Sequence, residues 1–110
     1  MKMRLGKVLK SGDVVLANVH YTDTFEIKKR PGLILFAEFD NVIVAGITSN
    51  LNMQGISLSK KEGAIKDSII KTNYIFTISS SLIEKKLFSL SSEKKKEVFD
   101  KLVNKLKDLI

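Results

Sequence analysis

Short apolar runs broken by polar pairs dominate the first three quarters of the chain. Val14-Val15-Leu16-Ala17-Asn18-Val19 is rich in β-branched residues, follows the turn signal Gly12-Asp13 and ends near His20-Tyr21, so it reads as a strand. Residues 22–30 are polar and charged and are assigned to an exposed loop. Leu33 to Phe39 and Val42 to Thr48 form the second and third strands. Asp40-Asn41 lies between them as a two-residue hairpin connection, with residues that tolerate positive φ. Ile56-Ser57-Leu58 and Ser68-Ile69-Ile70 read as short extended pieces, Ser59 to Gly63 as a loop, and Asn73 to Ile78 as a stronger strand.

The pattern then changes. Ser80 or Ser81 is placed to cap a short helix carrying Leu82, Ile83 and Leu87. Beyond Ser91 or Ser92, apolar residues at 98, 99, 102, 103, 106 and 109 follow the helical period and define one buried face. Lysines 94, 95, 96, 101, 105 and 107 share the rest of that helix with acids, as on a solvated face. Strands first, then a helical tail, predict a mainly β fold: a small, strongly bent antiparallel sheet or partly open barrel packed by a C-terminal helix. The expected layout is one domain over residues 1–110, with a lead-in at 1–11, the barrel at 12–79, a short helix and loop at 80–90 and the final helix at 91–110.

Composition narrows the function classes. Apolar residues make up 44% of the 110, enough for a core. There is no cysteine and one histidine, so disulfides and thiolate metal sites are excluded and no cofactor is expected. The cysteine count fits a reducing compartment, and neither a signal peptide nor a membrane-spanning run is visible, so the expectation is a cytoplasmic protein without a membrane partner. The net charge is +7, with the excess in residues 1–31 and 84–110 and a neutral stretch between. That balance favours a polyanion or an acidic partner, or reflects solvated surface lysines.

Candidate chemistry gathers at strand mouths. Arg30-Pro31-Gly32 stands immediately before an apolar run. Proline lacks an amide hydrogen and belongs at the first residue of a strand, which places Arg30 at the strand's mouth with a planar fork of donors suited to phosphate. Thr48-Ser49-Asn50 follows the third strand. In an antiparallel hairpin the end of the second strand lies beside the start of the first, so Thr48 should come near Arg30. An arginine and a hydroxyl converging there make a phosphate site, or else are a surface arginine and a strand-end threonine. His20, Glu26 and Asn73 are the other polar groups at strand mouths, and His20 could move a proton near neutral pH or simply end a strand. Tyr21, Phe25 and Tyr74 are aromatics that could stack on unpaired bases or pack in the core.

The order and spacing of these pieces resemble the MazF/PemK family of toxin endoribonucleases over about residues 11–108. The resemblance runs through Gly12-Asp13-Val14-Val15-Leu16, Glu26, Arg30-Pro31-Gly32-Leu33-Ile34-Leu35, Val42 to Ser49, Lys66-Asp67-Ser68-Ile69-Ile70, Thr77-Ile78, and Leu87 onward. It implies an SH3-like barrel, usually a homodimer, neutralised by a cognate acidic antitoxin. It also implies metal-independent cleavage of single-stranded RNA, in which the ribose 2′-hydroxyl attacks the adjacent phosphate to leave 2′,3′-cyclic phosphate and 5′-hydroxyl ends. By motif match Arg30 is the catalytic arginine, acting in proton transfer and charge stabilisation, Thr48 holds the scissile phosphate, and Glu26 falls in the loop bearing an acidic or polar site residue. His20, Phe25, Lys28, Lys29, Ser49, Asn50, Lys71 and Asn73 are the expected RNA-binding positions. Some members carry an arginine and an aspartate where this chain has Lys71 and Asn73, and Asn73 cannot act as a general base. The alternative is a catalytically weak or inactive member serving as an RNA-, DNA- or protein-binding module. A gyrase-poisoning relative with the same barrel fits less well, because Arg30-Pro31 and Thr48-Ser49 form the ribonuclease signature.

Overall fold

The computed structural model describes residues 9–20 and 27–110. Six antiparallel strands form one sheet: β1 (Asp13–His20), β2 (Ile27–Glu38), β3 (Asn41–Thr48), β4 (Ile56–Leu58), β5 (Ser68–Ser79) and β6 (Ile83–Ser89). Their order across the sheet is β4-β5-β3-β2-β1-β6, with β4 and β6 at the two edges, so the sheet bends strongly without closing. The helix α1 (Ser92–Leu106) follows, with Ser91 as its cap: Ser91 Oγ accepts the Lys94 amide at 3.1 Å. Among the described residues no helix is long and apolar enough to cross a membrane.

The continuous apolar runs are explained by burial on both faces of the central strands. Val14, Leu33, Ala45, Ile47 and Ile70 point to one face and pack with Leu58, Leu90 and Val98 of α1. Val15, Ala17, Ile34, Val42 and Val44 point to the other and pack with Ile78 and Ile83. Adjacent residues in one strand thus serve different cores, and no polar alternation is left to read.

Four expectations need correction. The hairpin between β2 and β3 turns at Phe39-Asp40, one residue early: Glu38 pairs with Asn41, and Phe39 carries the left-handed conformation with φ 55°. Residues 27–30 belong to β2 rather than to a loop, which puts Pro31 inside the strand and not at its first residue. The segments around Ile69 and Ile75 are one strand, β5, interrupted by a bulge: Ala45 pairs with Ile75 but Gly46 pairs with Lys71. The short helix expected over residues 80–90 is instead a single 3-10 turn, Ser80–Leu82, capped by the Ser79 hydroxyl and followed by the edge strand β6. The charged run Glu84-Lys85-Lys86 suits an edge, where charges discourage pairing with further chains. The loop expected at Ser59–Gly63 contains one 3-10 turn, Lys60–Glu62.

Candidate functional site

The site begins with a change of partners in β2. Residues 27–33 pair with β1, whereas pairing with β3 starts only at Gly32, opposite Gly46. Pro31 stands one residue before that handover, where its missing amide removes no bond to β3. Beyond Gly46, Ile47 and Thr48 pair with β5 and have no partner on β2. The two strands therefore part, and Arg30, Pro31, Ile47 and Thr48 face one another across the gap. These four residues line two adjoining cavities, of about 270 and 180 Å³.

The larger cavity is completed by Lys29, Ser49, Ile65, Lys66, Ser68 and Phe88. The smaller is completed by Val19, Gly46, Met53, Lys71, Tyr74 and Phe76. Arg30 is exposed and Thr48 half-buried, so solvent and ligand reach both. Thr48 Oγ1 accepts the Asn50 amide at 3.1 Å, and Asn50 Oδ1 accepts the Asn52 amide at 3.0 Å. These two local turns shape the loop after β3 and spend an acceptor site of the Thr48 hydroxyl, leaving its proton to be donated. Lys29 Nζ lies 3.0 Å from Glu84 Oε2, an exposed pair that a ligand can break at small cost. Lys71 Nζ lies 5.7 Å from the Tyr74 ring centroid, and the Tyr74 and Phe76 centroids are 5.1 Å apart.

Of the sequence-derived site residues, the fold brings together Arg30, Thr48, Lys29, Ser49 and Lys71. Lys28 is exposed on β2 opposite Val19, and Asn50 shapes the loop; neither lines a cavity. Asn73 is exposed in the β5 bulge and also lines neither. The backbone of His20 pairs with Ile27, and its side chain lies outside the described residues, as do Tyr21, Phe25 and Glu26. Lys66 and Ser68 join the site beyond the residues expected from the sequence. Lys66 lies two residues before β5 and Ser68 is its first residue, ahead of an apolar pair as Arg30 is ahead of the apolar part of β2, so the same strand-mouth reading applies to them. Met53 and Phe76 carried no comparable signal.

Solved structures share this architecture. The Mycobacterium tuberculosis toxin MazF-mt6 superimposes with a TM-score of 0.67 at 21% identity, covering 87% of this chain and 96% of that one. A MazE-MazF complex from Deinococcus radiodurans gives 0.73 at 18% identity, with 92% and 97% covered. A mycobacterial endoribonuclease in complex with its cognate antitoxin gives 0.63 at 11% identity, with 86% and 88% covered. No curated protein matches the chain by sequence. The family model for the PemK-like, MazF-like toxin of type II toxin–antitoxin systems matches residues 10–106. With nearly its whole length matched by that model, and with the fold of solved MazF toxins, the chain belongs to the PemK/MazF toxin family.

Proposed function

We propose that the protein is a toxin-type endoribonuclease that cuts single-stranded RNA, with Arg30 and Thr48 at the scissile phosphate. The observation that carries this reading is their meeting across the gap where β2 and β3 separate. The 2′-hydroxyl of the RNA attacks the neighbouring phosphorus, the bond to O5′ breaks, and a 2′,3′-cyclic phosphate and a 5′-hydroxyl result. The nucleophile comes from the substrate, so the protein's task is to hold the phosphate, meet its developing charge and move protons. The Arg30 guanidinium offers paired donors to the non-bridging oxygens, and the Thr48 hydroxyl donates a further bond. Glu26, next to the first residue of β2, is assigned the role of accepting the 2′-hydroxyl proton. Lys29, Lys66 and Lys71 supply positive charge for the flanking phosphates.

The active unit is a homodimer in this reading. Phe36 on β2 and Phe99 and Leu106 on α1 are more than half exposed, and Leu35, Leu102 and Val103 complete an apolar groove of about 420 Å³ between these elements. A surface of that kind favours a self-complementary contact. An acidic antitoxin peptide laid over the basic cleft is the proposed inhibitor, in keeping with the +7 charge and with relatives solved beside antitoxins.

Incubation of the purified protein with a long unstructured RNA in EDTA tests the activity. The expected result is fragments with 5′-hydroxyl ends, with the rate lowered about 100- to 1000-fold by Arg30→Ala. Intact RNA across varied sequences would favour a binding module instead.

A further inference from the structure

We propose that Tyr74 is a stacking platform for the RNA base next to the scissile phosphate, and that Gly46 is the seat that positions its ring. This rests on the ribonuclease reading of the Arg30–Thr48 cleft. Tyr74 lies in the β5 bulge, in the three-residue stretch that has no partner on β3. The extra residues there turn its side chain into the smaller cavity, which Arg30 and Thr48 also line.

The ring is held from two sides. A Cβ built on Gly46 would stand 2.7 Å from Tyr74 Cδ2 and 3.2 Å from Cε2, so the ring rests directly on the bare backbone of β3. The Phe76 ring braces it at 5.1 Å between centroids, tilted by 40°. It is nevertheless 44% exposed, more than a core aromatic of this sheet would be. Lys71 reaches it only at 5.7 Å, near the outer limit of about 6 Å for a cation–π contact, so the ammonium can give way to a base and turn to a phosphate. A fixed, half-open ring one cavity wall away from a phosphate site meets the needs of a base held next to the cut. Stacking accepts any base, so the platform contributes affinity and position and leaves sequence choice to other groups.

The chain has two tyrosines and no tryptophan, so Tyr21→Phe leaves Tyr74 as the sole tyrosine emitter. That protein is titrated with a short 2′-O-methylated, mixed-sequence single-stranded oligonucleotide, which cannot be cut. Tyr74 emission is expected to be quenched on binding. Tyr74→Ala should weaken binding by about 5- to 150-fold, and Tyr74→Phe should bind nearly as the unmodified protein does. Gly46→Ala should reproduce the Tyr74→Ala loss and add nothing to it in the double variant, an outcome a general packing defect would not give. Unchanged emission, equal binding by Tyr74→Ala, or no binding by the parent protein overturns the platform. Cleavage of unmodified RNA is scored alongside: binding and quenching without cleavage sink the ribonuclease reading and reduce Tyr74 to a base-stacking residue of a binding module, whereas cleavage that is equal in Tyr74→Ala sinks the platform and leaves the ribonuclease reading standing.

Discussion

Thr48 Oγ1 accepts the backbone amide of Asn50 at 3.1 Å, so the hydroxyl that faces Arg30's cavity has its own orientation set by the loop that follows it. The donor and acceptor functions of that oxygen can be kept or removed together by substitution. Thr48→Ser keeps donor and acceptor and should retain activity within a few-fold. Thr48→Val keeps the shape and loses both, and should lower kcat by about 100-fold. Single-turnover cleavage of RNA measures the difference, and thermal melting checks that the fold survives.

Asp13 is charged and only 1% exposed, and it ties the start of β1 to the end of β6. Its oxygens accept the Lys10 amide at 3.0 Å and the Ser89 hydroxyl at 2.8 Å, with Lys86 Nζ 3.5 Å away. Asp13→Ala leaves these donors without a partner and should cost about 3 kcal/mol, seen as a lower urea midpoint with an unchanged slope.

Glu62 fixes the turn before β5 to the start of α1. The Ser59 amide donates to Glu62 Oε1 at 2.7 Å, and Lys94 Nζ lies 3.3 Å from Oε2 while donating to the Ser57 carbonyl at 2.8 Å. The Ser59 amide, aided by Lys94, holds the Glu62 carboxyl below its ordinary value of 4.5. A lowered value in the folded state means the contribution is fully present above pH 4.5 and fades as the pH falls through the folded value. Glu62→Gln should therefore lower Tm at pH 7, by a small amount because solvent reaches the carboxylate, and the gap to the parent should close in acid. Melting curves from pH 7 to 3 test this.

Phe99 is 63% exposed, so its removal should cost the monomer little. Phe99→Asp puts a charge in the groove between β2 and α1 and should halve the mass seen by sedimentation equilibrium, with Tm of the monomeric unit nearly unchanged. A full-mass dimer carrying this substitution would place the contact on another face.

Much of the molecule is legible in its residue order where one force decides. The β2–β3 hairpin follows from two apolar runs split by a polar pair, and with it comes the approach of Thr48 to Arg30. The turn falls one residue before Asp40-Asn41, the pair that suits positive φ by residue type, because the conformation of Phe39 is set by the strand register on either side. Leu82, Ile83 and Leu87 lie at spacings a helix tolerates, yet Leu82 closes a 3-10 turn and pairing with β1 makes the strand β6 from Ile83 onward; that strand is decided by a partner some 70 residues earlier. The seat of Tyr74 depends on a bulge, and a bulge is a mismatch between two strands that neither strand reveals alone.

The handover at Pro31-Gly32 has a mechanical consequence. Arg30 rides on the arm β6–β1–β2, and Thr48 on the arm β3–β5–β4, and the two arms are joined by backbone pairing only from Gly32 and Gly46 onward. The spacing of the two side chains is thus set by how far the two arms diverge beyond the pair of glycines at which they are last joined. Anything that wedges or clamps the arms alters the phosphate grip without touching either side chain.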